Sequence, residues 1–170
     1  MLKKNSKNGK LWFALALVMM GVLFWSSSQT YHQQSQVGTL SHLLKGEPFK
    51  DVLSKIKFNY AHSEISIQHM GYFRFVEFFL RKGAHFFSYL LIGAGLFLGF
   101  SKLLKSSWLP AALSVSLATT YAGLDEFHQM LTGDRSPLVQ DVILDASGAA
   151  TIVVILLVVK AIREQRVNEK

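Results

Sequence analysis

The chain has 170 residues, half of them hydrophobic, a formal net charge of +7 and no cysteine. It is too apolar for an ordinary soluble domain of this length, and without cysteine it can have no disulfide, thiolate metal site or cysteine nucleophile. The positive charge does not point to nucleic acid, because it gathers beside the ends of apolar runs, where it sets membrane orientation.

Lys3, Lys4, Lys7 and Lys10 precede the first uncharged run, residues 11–30. That run is near the ~20 residues needed to cross ~30 Å of hydrocarbon and predicts a first transmembrane helix. The same segment has the layout of a signal peptide, with basic residues, an apolar core and then Ser26, Ser27 and Ser28. Its removal would leave three spans in unchanged orientation.

Residues 31–80 form the one sizeable loop. Within it, Phe49, Val52, Leu53 and Ile56 recur at helical spacing among Lys50, Asp51 and Lys55, after a break at Gly46 and Pro48. This predicts a short amphipathic helix that lies on the membrane or caps the bundle. His32, His42, His62 and His69 are scattered, show no metal-ligand spacing and are expected to be solvated.

From Gly71 to Phe100 the pattern fits one long helix, with Glu77 and Arg81 as an i,i+4 pair in the favourable order. Its second predicted span is 83–101, and Gly95 and Gly99 form a GxxxG that permits close packing. Lys102 and Lys105 follow. The third span, 106–124, tolerates Pro110 near its start. The next loop carries Asp125, Glu126, Asp134 and Asp141 against Arg135 alone. The fourth span, 142–159, is interrupted only by Asp145, and Lys160, Arg163, Arg166 and Lys170 follow it. By the positive-inside rule the three basic segments are cytoplasmic and the acidic loop lies outside. The expected fold is an all-α integral membrane protein of four transmembrane helices, N-terminus in and C-terminus in, with an extracytoplasmic loop at 31–80.

Ionisable groups near a span are costly, roughly 2.5–3.5 kcal/mol each at mid-bilayer on insertion scales, so they are functional candidates by default. Lys82, His85 and Tyr89 share one helical face. Tyr121, Asp125, His128 and Gln129 share another if the helix runs past Leu124. Asp141, Asp145 and Gly148 share a third, where Gly148, Ala149 and Ala150 allow a neighbouring helix to approach. Two readings are open: an ion-pair network that fixes helix register, or a pocket that opens outward. The number of polar groups favours the pocket.

The candidate ligand-binding residues are Arg81, Lys82, His85, Tyr89, Asp125, Glu126, Gln129, Arg135, Asp141 and Asp145. Arg81, Lys82 and Arg135 suit an anion. Asp125, Glu126, His85 and His128 suit acid–base work. The same carboxylates and imidazoles suit a divalent metal, but there is no HExxH and no other established metal motif. A Gly-rich phosphate loop and a GxSxG elbow are absent. The order of Arg135 and His128 does not match membrane lipid phosphatases. No metal or cofactor is expected.

Four blocks resemble the VanZ-like family, named for a protein linked to teicoplanin resistance. They are Trp25-Ser26-Ser27-Ser28-Gln29, then Glu77 to Phe86 with Tyr89, then Tyr121 with Asp125-Glu126-Phe127-His128-Gln129, and last Gly133-Asp134-Arg135 followed by Asp141, Asp145 and Gly148. The last departs from the pattern, with Gly133-Asp134 where a proline-glycine turn is expected before the arginine. The resemblance implies a single VanZ-like domain over 1–170, in a multi-pass protein of the bacterial cell membrane. It implies a role at the envelope, with membrane lipids, a lipid-linked cell-wall precursor or a lipoglycopeptide as partners, and a contribution to teicoplanin resistance. The alternatives are an enzyme that modifies a lipid-linked precursor and a proton-coupled transporter or sensor that uses Asp145.

Overall fold

The computed structural model describes residues 6–106, 108–132 and 137–168. Four long helices carry the fold: α1 (Ser6–Ser27), α6 (Tyr72–Leu103), α7 (Trp108–Leu131) and α8 (Val139–Asn168). Between α1 and α6 lie α2 (Tyr31–Gln34), α3 (Val37–Leu43), α4 (Lys50–Leu53), a hairpin of β1 (Phe58–Tyr60) and β2 (Ser63–Ile65), and α5 (Ile67–Met70). Three segments are long and apolar enough to cross a membrane: Gly9–Ser27, Tyr72–Leu103 and Val139–Asn168. Helix α7, which carries the predicted third span, has the length at 24 residues. Ser114, Ser116, Thr119, Thr120 and Tyr121 dilute its apolar character.

Helix α6 is the hub and packs on α1, α7 and α8. Small residues set how close the others come. A Cβ on Gly95 would sit 2.7 Å from the Trp12 carbonyl oxygen, and one on Gly99 would sit 2.8 Å from the Phe13 ring. The GxxxG is therefore the seat of α1. On another face of α6, a Cβ on Gly93 would meet Ala149 Cα at 2.8 Å, and Gly148 of α8 lies against the Phe86 carbonyl. Helix α1 runs antiparallel to α6, because Gly9 meets Lys102 while Trp12 and Ala16 meet Gly95. Helix α8 runs parallel to it, with Asp141 at Lys82 and Asp145 at His85. Ala16, Leu23, Tyr89, Ile92, Leu96, Ala118, Ala122 and Ala149 form the core between the helices.

The segment from α2 to α5 caps one end. Its own small core of Ile65, Ile67, Tyr72 and Phe75 is built on the first turns of α6. Phe49, Val52, Leu53 and Ile56, predicted to form an amphipathic helix, yield only the single turn α4. Phe49 precedes it with φ 60°, a left-handed conformation that stops the helix from extending backwards. Leu53 packs against the cluster of Ile65, Ile67, Tyr72 and Phe75, while Phe49, Val52 and Ile56 stay exposed. His32, His42, His62 and His69 are all exposed.

The hairpin was not foreseen from the sequence. Tyr60 pairs with Ser63, so the loop is two residues, Ala61 and His62, with φ of 49° and 67°. Such a turn matches strand twist but favours Asn-Gly, because a β-carbon costs about 1–2 kcal/mol in this region. The double variant Ala61→Asn, His62→Gly is expected to stabilise the fold by about 1–2 kcal/mol. Thermal unfolding in detergent checks this, and an unchanged or lower melting temperature would refute it.

Candidate functional site

At the capped end, α6, α7, α8 and the hairpin enclose a cavity of about 460 Å³. Helical periodicity explains its lining. Arg74, Glu77, Phe78, Arg81, Lys82 and His85 face it from α6, Glu126 and Gln129 from α7, and Asp141, Leu144 and Asp145 from α8. Tyr60, Ala61, Ser63 and Ile65 close it from the hairpin side.

Lys82 is held by both oxygens of Asp141, at 2.5 and 2.6 Å. Its ammonium also lies 4.9 Å from the Tyr60 ring centroid and 5.6 Å from that of Phe78. The Tyr60 hydroxyl donates to Asp141 Oδ1 at 2.5 Å. Burial, the hydrogen bond to Asp141 and the charge of that carboxylate together push the Tyr60 phenol above its usual range, so it stays a neutral donor. One helical turn further into the bundle, His85 Nδ1 donates to Asp145 Oδ2 at 3.3 Å. Glu126 accepts the Leu138 backbone N–H at 2.7 Å, which ties the start of α8 to α7. Toward the mouth, buried Glu77 accepts the backbone N–H of Gln36 at 2.5 Å. Arg81 donates to the Gln34 side chain at 2.9 Å. Arg74 has no hydrogen bond or ion pair among the described residues.

The structure thus brings Arg81, Lys82, His85, Glu126, Gln129, Asp141 and Asp145 together around one cavity. Tyr89 and Asp125 lie behind its inner end and are fully or almost fully buried. Gln129 donates to Asp125 Oδ2 at 2.9 Å and to Ser27 Oγ at 3.3 Å, and so links α7 to the end of α1. Tyr121 donates to the Met20 carbonyl at 2.6 Å. His128 turns away from the cavity. Its Nε2 is 3.0 Å from Ser28 Oγ, and its ring stacks on Phe24 at 4.5 Å. The reason is geometric: two residues after Glu126, a helix has turned about 200°, so His128 and Glu126 face opposite sides. Arg135, with Gly133 and Asp134, lies outside the described residues.

Tyr60 and Arg74 are cavity residues that the sequence did not single out. The signal for Arg74 was present, since it precedes Arg81 by seven residues on the same face. Tyr60 had none, because the hairpin that delivers it carries no turn signature. Among the described residues, no group of three or more histidine and acidic side chains is arranged to hold a metal ion. Chemically the cavity offers guanidinium groups toward its mouth, a neutral phenol beside a paired lysine, and an imidazole–carboxylate pair at its inner end.

No curated protein and no solved structure matches the chain significantly. The VanZ/LLP1 family model matches residues 12–160. That range takes in α6, α7, the cavity and about three quarters of α1 and α8, and the chain is a member of the VanZ/LLP1 family.

Proposed function

We propose that the chain is a multi-pass protein of the bacterial cell membrane whose cavity opens outward and binds an anionic, lipid-linked or amphiphilic molecule of the envelope. In this reading α7 is a fourth span and both termini are cytoplasmic. Lys10, Lys102, Lys105 and Lys160 gather at the end of the bundle away from the cavity, which supports that orientation. The observation that carries the reading is the half-open polar cavity itself, with Arg74, exposed and unpartnered among the described residues, and Arg81 on its α6 wall. A polar chamber at the level where helices leave the hydrocarbon lets a head group enter while its apolar tail stays in lipid. A cell-wall precursor on a lipid carrier fits this description. So does a lipoglycopeptide, which would link the site to teicoplanin resistance.

The test is binding of farnesyl diphosphate, an anionic head on an isoprenoid tail, to the purified protein in detergent. Arg74→Ala and Arg81→Ala are each expected to weaken binding roughly 10- to 100-fold, the worth of a charged hydrogen bond. Binding that neither substitution alters would overturn the reading. In cells, the same variants are expected to shift teicoplanin sensitivity away from that of the wild type.

The pair of His85 with Asp145 supports a second reading, an enzyme acting on such a lipid. A carboxylate that orients an imidazole beside a cavity is an acid–base arrangement. His85 would transfer the proton, and Glu126 would be the second acid–base group. His128 faces α1, and Asp125 lies behind the cavity rather than on its wall. A mass-spectrometric lipid profile of cells expressing wild type or His85→Gln separates the two readings. An enzyme changes one lipid species only with the wild type.

A further inference from the structure

The side of α6 that turns away from the cavity carries a second feature. Leu53 of α4 faces Phe75, Val76, Phe79 and Leu80 across an open-sided apolar groove of about 260 Å³. The charged residues Glu77, Arg81, Lys82 and His85 lie on the opposite side of the helix. Going from the groove toward the other end of the bundle, Leu80, Ala84, Phe87 and Leu91 recur every three or four residues, and all are exposed. A Cβ on Gly83, on the same side, would meet no described atom within 4 Å outside its own turn. Helix α6 is long and apolar enough to cross a membrane. This uncovered stripe is therefore where it meets lipid, and the groove continues the stripe at its cap end.

Counting back from Lys102 the ~20 residues that cross ~30 Å of hydrocarbon brings the hydrocarbon edge to the turn of Lys82. The groove begins at that edge. Its outer wall belongs to the chain that leads from α4 to β1. There Phe49, Val52 and Ile56 are exposed, and Phe58, which follows, lies 6.2 Å from Phe79 between ring centroids. Over residues 45–57 four lysines stand against Glu47 and Asp51. Lys50 pairs with Glu47 and Lys57 with Glu64. Lys55 is exposed and has no ion pair among the described residues. Apolar side chains interleaved with lysines at the hydrocarbon edge are the composition of a segment that lies in the head-group layer.

From this layout we infer that an anionic phospholipid docks on the cap, on the side of α6 opposite to the cavity. The methylenes of one acyl chain nearest the head group fill the groove. Phe49, Val52 and Ile56 dip among the neighbouring chains, and the lysines meet phosphate. The groove is smaller than an ordinary ligand pocket of about 300–1,000 Å³, which suits part of a chain rather than a whole molecule. Its lining offers no hydrogen-bonding side chain, so the head group is selected by the lysines outside it. The site is separate from the cavity and does not depend on what the cavity binds.

The chain has no cysteine of its own, so a bimane label on Val52→Cys reports this face alone in vesicles of phosphatidylcholine and phosphatidylglycerol. A nitroxide near the head-group end of a lipid chain is expected to quench the label at least about twofold, and aqueous iodide much less. The same label on His69→Cys should show the reverse. That position is exposed, just ahead of α6, and the start of α6 is about 15 Å beyond the hydrocarbon edge by helical rise. At one overall lipid composition, the nitroxide should quench Val52→Cys more strongly on phosphatidylglycerol than on phosphatidylcholine. The expected local enrichment is about fivefold, one lysine's worth. Lys55→Gln should bring the two lipids close together. Val76→Trp, which fills the groove, should weaken quenching by phosphatidylglycerol at least about twofold. The lipid comparison alters only the exposed Val52, so it stands even if Val76→Trp does not fold. Equal quenching by the two lipids would overturn the choice of an anionic one. Quenching by iodide alone would put the cap in water. Protection from both quenchers would put protein over this face, and a disulfide between two Val52→Cys chains would identify it as a second copy. Either result overturns the proposal.

Discussion

Gly148→Ala is expected to be the most damaging single-methyl change in this protein. Its new β-carbon would overlap the Phe86 carbonyl of α6. The obstacle is backbone, which cannot rotate aside as a side chain would. Overpacking a well-filled interior costs about 1–3 kcal/mol, and the helix–helix contact here puts Gly148→Ala at the upper end. Moving α8 away from α6 would also stretch two contacts made one and two turns earlier on the same pair of helices, His85 to Asp145 and Lys82 to Asp141. The change should therefore lower both the melting temperature in detergent and ligand binding. Gly123→Ala is the control. Among the described residues, and apart from its own helical turn, no atom lies within 4 Å of a β-carbon there, and in mid-helix the substitution should gain up to about 1 kcal/mol. If Gly148→Ala melts with the wild type, α6 and α8 are not in this contact.

The second large effect is expected at the pair of Lys82 and Asp141. Each side chain is only about a fifth exposed, at 23 and 20%. Removing one partner of a buried ion pair costs about 3–5 kcal/mol, because the other charge is left without compensation. With this residual exposure, Lys82→Met should cost about 3 kcal/mol. Among the described residues it leaves the Asp141 carboxylate with the Tyr60 hydroxyl alone. The double variant Lys82→Met, Asp141→Leu should recover most of that loss. A double-mutant cycle on unfolding free energy in detergent measures the coupling. Coupling near zero would mean that the hairpin and not the ion pair holds this end of the bundle. Binding of farnesyl diphosphate should separate the two effects. The double variant restores stability but leaves the cavity without its lysine.

The parts of this architecture that follow a helical period were legible in the sequence. The continuous helix over residues 71–100, the stripe of Lys82, His85 and Tyr89, and the stripe of Asp141, Asp145 and Gly148 all follow from residues recurring every three or four positions. That is why the ion pairs between α6 and α8 join two stripes already visible as such. The GxxxG at Gly95 and Gly99 is likewise readable as a packing face, although nothing in the sequence says that α1 is the partner. The cap is different. Its turn is Ala61-His62 rather than a glycine-bearing pair, so the strands on either side carry no hairpin signature. Its core of Ile65, Ile67, Tyr72 and Phe75 exists only once α6 supplies the other half. His128 shows a further limit. It reads as a neighbour of Asp125 and Gln129, yet which side of α7 faces the cavity is settled by tertiary packing, and that choice gave Glu126 to the cavity and His128 to α1.

The dependence of the cap on α6 also bears on how the chain is made. Residues 31–70 are synthesised and leave the ribosome ahead of α6, but they bury their apolar side chains on its first turns. At roughly 5–20 residues per second, residues 72–80, the first turns of α6, follow them by about half a second to two seconds. During that interval Leu44, Leu53, Ile65 and Ile67 lack the half of their core that Tyr72 and Phe75 supply. The cap is a late-folding unit that waits for a template synthesised after it. Any delay in delivering α6 prolongs the time in which chaperones and proteases can reach it.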